Sequence, residues 1–184
     1  RYRGWQMQHN AKSIQGELMD VSRQLFSSRV EIFGAGRTDA GVHALGQIAH
    51  LKVPELKTNI TPRQIQHGFN ELLPHDINIL KVSNAAENFH ARKDAVARQY
   101  LYQISTRRTA FAKNHVWWIK DNLDAYAMKT CADMLVGRHD FVSFCETEDD
   151  KKQSTVVKVE SAEIFVQDDL ILFRIKASHF LWKM

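Results

Sequence analysis

Three ionisable side chains stand close together in one glycine-rich stretch: Arg37, Asp39 and His43, within Phe33-Gly34-Ala35-Gly36-Arg37-Thr38-Asp39-Ala40-Gly41-Val42-His43-Ala44-Leu45-Gly46. They are a permanent cation, a carboxylate that ionises at about pH 3.9, and an imidazole that titrates near neutrality. Such a set suits nucleophilic attack, proton transfer or the holding of an anion. Glycines at 34, 36, 41 and 46 let a substrate come close to the main chain. A hairpin connection needs only about two to five residues, so a longer loop carrying these groups points to function. The same residues also fit a plain glycine loop in which Arg37 and Asp39 pair with one another, and this stretch alone leaves both readings open.

Two strands must hold that loop. Val30 to Phe33 is a β-prone run leading in, and Leu45 to Val53 leads out, with Ala49, Leu51 and Val53 alternating against His50 and Lys52. Before them, Ser13 caps a helix whose apolar residues Ile14, Leu18, Val21 and Leu25 recur at helical spacing. After them, Thr61-Pro62 starts a second helix with Ile65, Phe69 and Leu72 on one face, and Pro74 stops it. Ile77 to Val82 reads as a further strand. The chain begins abruptly at Arg1, and one strand ahead of it would complete a β-α-β-β-α-β unit of ferredoxin-like type.

From Ala95 the chain reads as extended, with Val96, Arg98, Tyr100, Tyr102 and Ile104 on one face. A face with an arginine and two tyrosines can line a cleft, or the tyrosines pack their rings and leave their hydroxyls wet, which is the reading that pattern alone favours. Asp121 or Asn122 opens a helix with Leu123, Tyr126, Met134 and Leu135 facing inward, Cys131 in the core and Gly137 closing it. Glu146 to Lys152 reads as a polar, solvated loop. Thr155 to Val166 and Leu170 to Ala177 form a hairpin through Gln167-Asp168-Asp169, and Phe180 to Met184 begins a helix of about one turn. The expected fold class is therefore α+β: two ferredoxin-like (RRM-like) halves, residues 1–92 and 93–184, with mainly antiparallel sheets around a central cleft and truncated at both ends.

The 184 residues, 44% of them hydrophobic, suffice for an ordinary folded core, and the net charge of +4 permits an anionic partner without demanding one. No apolar run is long enough to span a membrane and no signal peptide is evident, so a cytoplasmic protein is expected. The two cysteines, Cys131 and Cys145, have neither metal-type nor disulfide-framework spacing, and the nine histidines form no cluster, so neither metal nor cofactor is expected.

Five strings carry a resemblance: Gly-Trp-Gln at 4–6, Ala-Gly-Arg-Thr-Asp-Ala-Gly-Val-His-Ala at 35–44, Phe-His-Ala-Arg at 89–92, Arg-Gln-Tyr-Leu-Tyr at 98–102 and Gly-Arg-His-Asp-Phe-Val-Ser-Phe at 137–144. In this order they resemble the bacterial tRNA pseudouridine synthase A family. The resemblance implies an isomerase that converts uridine to pseudouridine at nucleotides 38–40 of the tRNA anticodon stem-loop, as a homodimer without cofactor or metal. It makes Asp39 the catalytic aspartate, Tyr100 the active-site tyrosine and Arg37 the side chain that fills the vacated stack or holds a phosphate. The resemblance thus reverses the packing reading for Tyr100, while Tyr102 stays a packing residue. His43 falls in the motif and either meets substrate or fixes the loop through a backbone hydrogen bond. Arg92 and Arg98 are candidates for phosphate contact, with Lys93, Arg1 and Arg3.

In the family, the helix begun by Phe180 to Met184 continues into an arginine that neutralises the catalytic aspartate, so the chain is expected to be part of a longer protein. Two other functions fit the residues: a non-catalytic RNA-binding module of the same fold, and a hydrolase pairing Asp39 with His43. The first predicts tRNA binding that survives loss of Asp39. The second needs a nucleophile or metal beside the pair.

Overall fold

The computed structural model describes residues 1–26, 28–54, 59–146 and 154–184. They form two compact units, Arg1–Ala95 and Val96–Met184. The expected polar loop at Glu146 to Lys152 lies, apart from Glu146, outside the described residues.

In the first unit, helix α1 (Ile14–Phe26) and helix α2 (Pro62–Leu72) accompany a two-stranded antiparallel sheet of β1 (Glu31–Gly34) and β2 (Ala49–Lys52). Helix α1 starts where expected: the Ser13 hydroxyl accepts the Gly16 N–H at 3.2 Å. Leu18, Val21 and Phe26 are buried at helical spacing and meet Trp5, Val30, Ile32, Phe69 and Leu73 in one core. Helix α2 opens with a capping box, Thr61 receiving the Gln64 N–H while the Gln64 side chain accepts from the Thr61 backbone, and Pro62 stands in the first turn.

The strand expected over Ile77 to Val82 is absent from the unit's two-stranded sheet. Side chains of α2 take its backbone groups instead. Asn70 bonds both the N–H and the carbonyl of Ile79, and Gln66 donates to the carbonyls of Ile79 and Leu80. The apolar alternation was real, since Ile77 and Ile79 pack on the core, but amide side chains replace a neighbouring strand.

The second unit is a five-stranded sheet with one helix. Its strands are β3 (Arg98–Ser105), β4 (Trp117–Trp118), β5 (Gly137–Asp140), β6 (Val156–Gln167) and β7 (Leu170–Ala177), in the order β4-β3-β7-β6-β5. All neighbours are antiparallel except β3 with β4. The hairpin from β6 to β7 turns at Asp168, whose φ of 50° is left-handed, close to the expected boundaries. The chain after β7 makes a turn, with the Met184 N–H on the Leu181 carbonyl, rather than a helical turn.

Helix α3 (Ala125–Leu135) departs from the sequence expectation in phase. It begins later, at an Asp124 cap whose carboxylate accepts the N–H groups of Tyr126 and Ala127, and it ends at Val136. Ala132 is its buried residue, packed with Leu135 against Val157 and Val159 of β6. Tyr126 and Met134 are exposed instead of inward, and Cys131 is exposed instead of in the core. The small Ala132 side chain lets the helix lie close to the sheet, so the contact is marked by this alanine and Leu135 and not by Tyr126 or Met134.

Candidate active-site loop

The loop around Asp39 is fixed at its base by the strands. Gly34 faces Ala49 in the last ladder pair, the Ala35 N–H reaches the Ile48 carbonyl at 2.8 Å, and the Gln47 side-chain amide donates to the Gly36 carbonyl at 3.0 Å. Beyond that point the chain leaves the sheet. Just past Asp39 it turns, with the Val42 N–H on the Asp39 carbonyl and Gly41 at a φ of 86°.

A second support comes from the start of the chain. The Trp5 N–H donates to the Thr38 carbonyl at 2.9 Å, one residue before Asp39. Gly4 has a φ of 90°, and a Cβ there would lie 2.4 Å from the Thr38 oxygen and 3.2 Å from the carbonyl carbon of Asp39. Only glycine fits both the angle and the approach. The buried Trp5 indole lies against Gly34, where a Cβ would fall 2.6 Å from the ring. Helix α1 holds this segment in turn: its Ile14 and Gln15 N–H groups, donors without partners inside the helix, bond the carbonyls of Gly4 and Trp5. The Gln15 side chain receives bonds from Gln6 and Met7 and donates to Ile32 of β1. Ahead of Gly4, the Tyr2 hydroxyl donates to Asp76, which Arg1 also meets. Burial and this carboxylate push the Tyr2 phenol up to about 12.

Arg37, Asp39 and His43 are all exposed. Among the described residues Arg37 and Asp39 form no ion pair with one another, so the plain local pair is not realised. The loop therefore presents its carboxylate to solvent while the backbone beneath it is clamped. Gly4, Trp5, Gln15 and Gln47 were not foreseen as its supports. The Gly-Trp-Gln string was the available signal, because a glycine beside a buried tryptophan marks close approach.

Arg92 is exposed on a turn that covers the face of β1–β2 opposite the core. His50 of β2 is buried beneath this turn, and its Nδ1 accepts the Ala91 N–H at 3.0 Å. Its ring stacks on Phe33 at 5.2 Å between centroids and meets His90 at 4.7 Å. Because Nδ1 is an acceptor, the ring proton sits on Nε2, which is buried with no hydrogen-bond partner. Leaving a donor so costs about 1–3 kcal/mol. Burial, then His90 and Lys52, hold the His50 pKa below the usual histidine range.

In the second unit Tyr100 is half-buried on β3 and meets Phe180 edge-on, with ring centroids 4.8 Å apart. Tyr102 is exposed and makes a similar edge contact with Trp117 at the sheet's edge. Arg98 donates to the Ser178 carbonyl at 2.9 Å, so this guanidinium serves the end of β7. Arg1 is likewise occupied by Asp76, whereas Arg3 and Lys93 are exposed. No group of three metal-ligating side chains occurs among the described residues, and no helix among them is long and apolar enough to cross a membrane.

These features define a mixed α+β protein that offers a solvent-facing carboxylate from a glycine loop held by its backbone. Sequence comparison makes the class specific. The family model described as tRNA pseudouridine synthase matches residues 2–94 and 131–184. The tRNA pseudouridine synthase A of Dictyoglomus thermophilum is 38% identical over 183 residues, covering 98% of this chain and 74% of the relative. That of Brachyspira hyodysenteriae is 35% identical over 98% of this chain and 73% of the relative, and that of Afipia carboxidovorans is 45% identical over 79% and 59%. The chain belongs to the tRNA pseudouridine synthase family.

Proposed function

We propose that this chain isomerises uridine to pseudouridine in tRNA, at nucleotides 38–40 of the anticodon stem-loop, as a cytoplasmic homodimer. The observation that carries the reading is the exposed Asp39 on a backbone clamped by Gly4, Trp5 and Gln47, within a family whose members share the activity's name. The reaction breaks the bond between ribose C1′ and uracil N1, turns the base, and forms the bond between C1′ and C5. The proton on C5 leaves and N1 ends protonated, so there is no net transfer to water or to a second substrate. An ionised carboxylate can serve by attack at the sugar, attack at the base, or assistance to loss of a C2′ proton.

The target base must leave its stack first, at a cost of a few kcal/mol that protein contacts offset. Arg37, two residues from Asp39, fills that space or holds the adjacent phosphate. His43 contacts the substrate or steadies the loop, and Arg92 binds a phosphate. Arg98 reaches RNA less directly, given its bond to Ser178. Tyr100 stacks on the base and its hydroxyl relays the C5 proton, handing its own proton on to solvent as it accepts that one, a role compatible with a ring held edge-on by Phe180.

We further read both units as ferredoxin-like halves. In the second unit, strand, helix, strand and strand give the neighbours β3-β7-β6, the antiparallel order this topology requires. In the first, α1, β1, β2 and α2 follow the same alternation. The test is pseudouridine formation in an unmodified tRNA transcript, with Asp39→Asn alongside and tRNA binding measured for both. Formation by the wild type only supports the synthase, whereas equal tRNA binding with no product from either leaves an RNA-binding module.

A further inference from the structure

The Phe89–Asp94 turn shapes itself but needs an anchor. Its inner bonds run from the His90 N–H to the Asp94 carboxylate at 2.7 Å, from the Asp94 N–H to the His90 carbonyl, and from the Arg92 and Lys93 N–H groups to His90 Nδ1. None of these ties the turn to the sheet. The Ala91 N–H does so, and its acceptor is the buried His50. Ala91 itself is buried, so its amide has no water to turn to if that acceptor is lost.

The ring of His50 is also retained at a cost, with Nε2 buried and unbonded. An aliphatic residue would avoid that donor and an aromatic one would keep the stack on Phe33, yet neither would accept the Ala91 N–H. The combination of a flat ring and an unprotonated nitrogen is what the site uses. Arg92 follows Ala91 directly and is exposed, so the bond sets where its guanidinium leaves the sheet.

We propose that His50 is a positioning residue for tRNA: by accepting the Ala91 N–H it holds the turn that presents Arg92 to a phosphate of the substrate. The inference rests on the synthase reading and adds to it a residue that never touches RNA. Acid weakens the arrangement, because a proton on Nδ1 sets two donors against each other. The groups facing His50 from the elements around it are His90 and Asp94 of the turn, Lys52 of β2 and Glu31 of β1.

The experiment is a double-mutant cycle on the full chain, with KM and kcat for a tRNA transcript. His50→Phe keeps the ring and removes the acceptor, and is expected to raise KM about tenfold with kcat little changed, as loss of one charge-assisted contact would. Arg92→Ala is expected to do the same, and the double variant to be no worse than Arg92→Ala alone. His50→Asn, whose side-chain oxygen can replace Nδ1, is expected to restore most of the wild-type KM and to lack the rise in KM expected of the wild type on acidification. Additive effects of His50→Phe and Arg92→Ala, or failure of His50→Asn to rescue KM in a variant that melts like the wild type, overturn the proposal. A wild type that forms no pseudouridine overturns the parent reading, whereas an active wild type with an additive cycle overturns only the role of His50.

Discussion

The two units hold their candidate catalytic groups in different ways. Asp39 stands exposed on a loop whose place is set by the Trp5 N–H on the Thr38 carbonyl, the Ala35 N–H on the Ile48 carbonyl, the Gln47 side-chain amide on the Gly36 carbonyl, and the absence of a side chain at Gly4. Tyr100 stands on a strand in the middle of a ladder, opposite Ile175, with its ring against Phe180. The loop leaves its carboxylate open to a large substrate, and the sheet keeps an aromatic ring at a set angle. A reaction that turns a base over needs both an uncovered reactive group and a firm surface.

Sharpening that contrast begins with Asp39→Asn. It is expected to lower pseudouridine formation by more than about a thousandfold while melting within about 0.5 kcal/mol of the wild type, since the side chain is exposed. Single-turnover assays and a melting curve check the two parts. Tyr100→Phe keeps the contact with Phe180 and is expected to cost about a hundredfold in kcat through loss of the hydroxyl, again with stability preserved. A variant with undiminished kcat would leave Tyr100 as a packing residue.

Gly4→Ala tests the clamp without touching any ionisable group. The Cβ would meet the Thr38 oxygen at 2.4 Å, so a loss of about 1–3 kcal/mol in stability is expected, together with a fall in kcat from a displaced Asp39. Denaturant melts and initial rates on the same sample show whether the two losses travel together. Arg98→Ala is expected to be milder, about 1–1.5 kcal/mol from the lost bond to Ser178, read from the same melts.

The smallest effect concerns pH. The folded pKa of His50 lies below its unfolded value of about 6.5, so the unfolded chain binds more protons between the two. Stability is therefore fully present above about pH 6.5, declines as pH falls through that window, and loses no more from this group below the folded pKa. His50→Asn should flatten that part of a stability profile, which melts between pH 5 and 7 would reveal.

Much of this was legible in the residues. Periodicity located α1, α2, β6 and β7, because each buries a regular stripe or face in one of the two cores, and alternation located β3, which pairs with β7 along its whole length. The glycine-rich string placed Asp39 and Arg37 on the connection between β1 and β2, since glycines and charged residues break the alternation of the flanking strands. What failed were matters of partner and phase. Ile77 to Val82 has the alternation of a strand, but pairing depends on a neighbour, and the amides of Gln66 and Asn70 took that place. The inward face of α3 is set by Ala132, a residue with no hydrophobic signal to compare with Tyr126 or Met134.

By itself, then, the sequence determined the local rules: where most of the helices and strands lie, where the chain turns, and which motif carries the family resemblance. Those rules follow from residues a few positions apart. Only the tertiary structure decided that Gly4 lies under Thr38, that His50 accepts from Ala91, and that Phe180 returns to Tyr100. Each of these joins residues far apart in the chain, where steric fit and the pairing of buried polar groups apply only after the elements have packed.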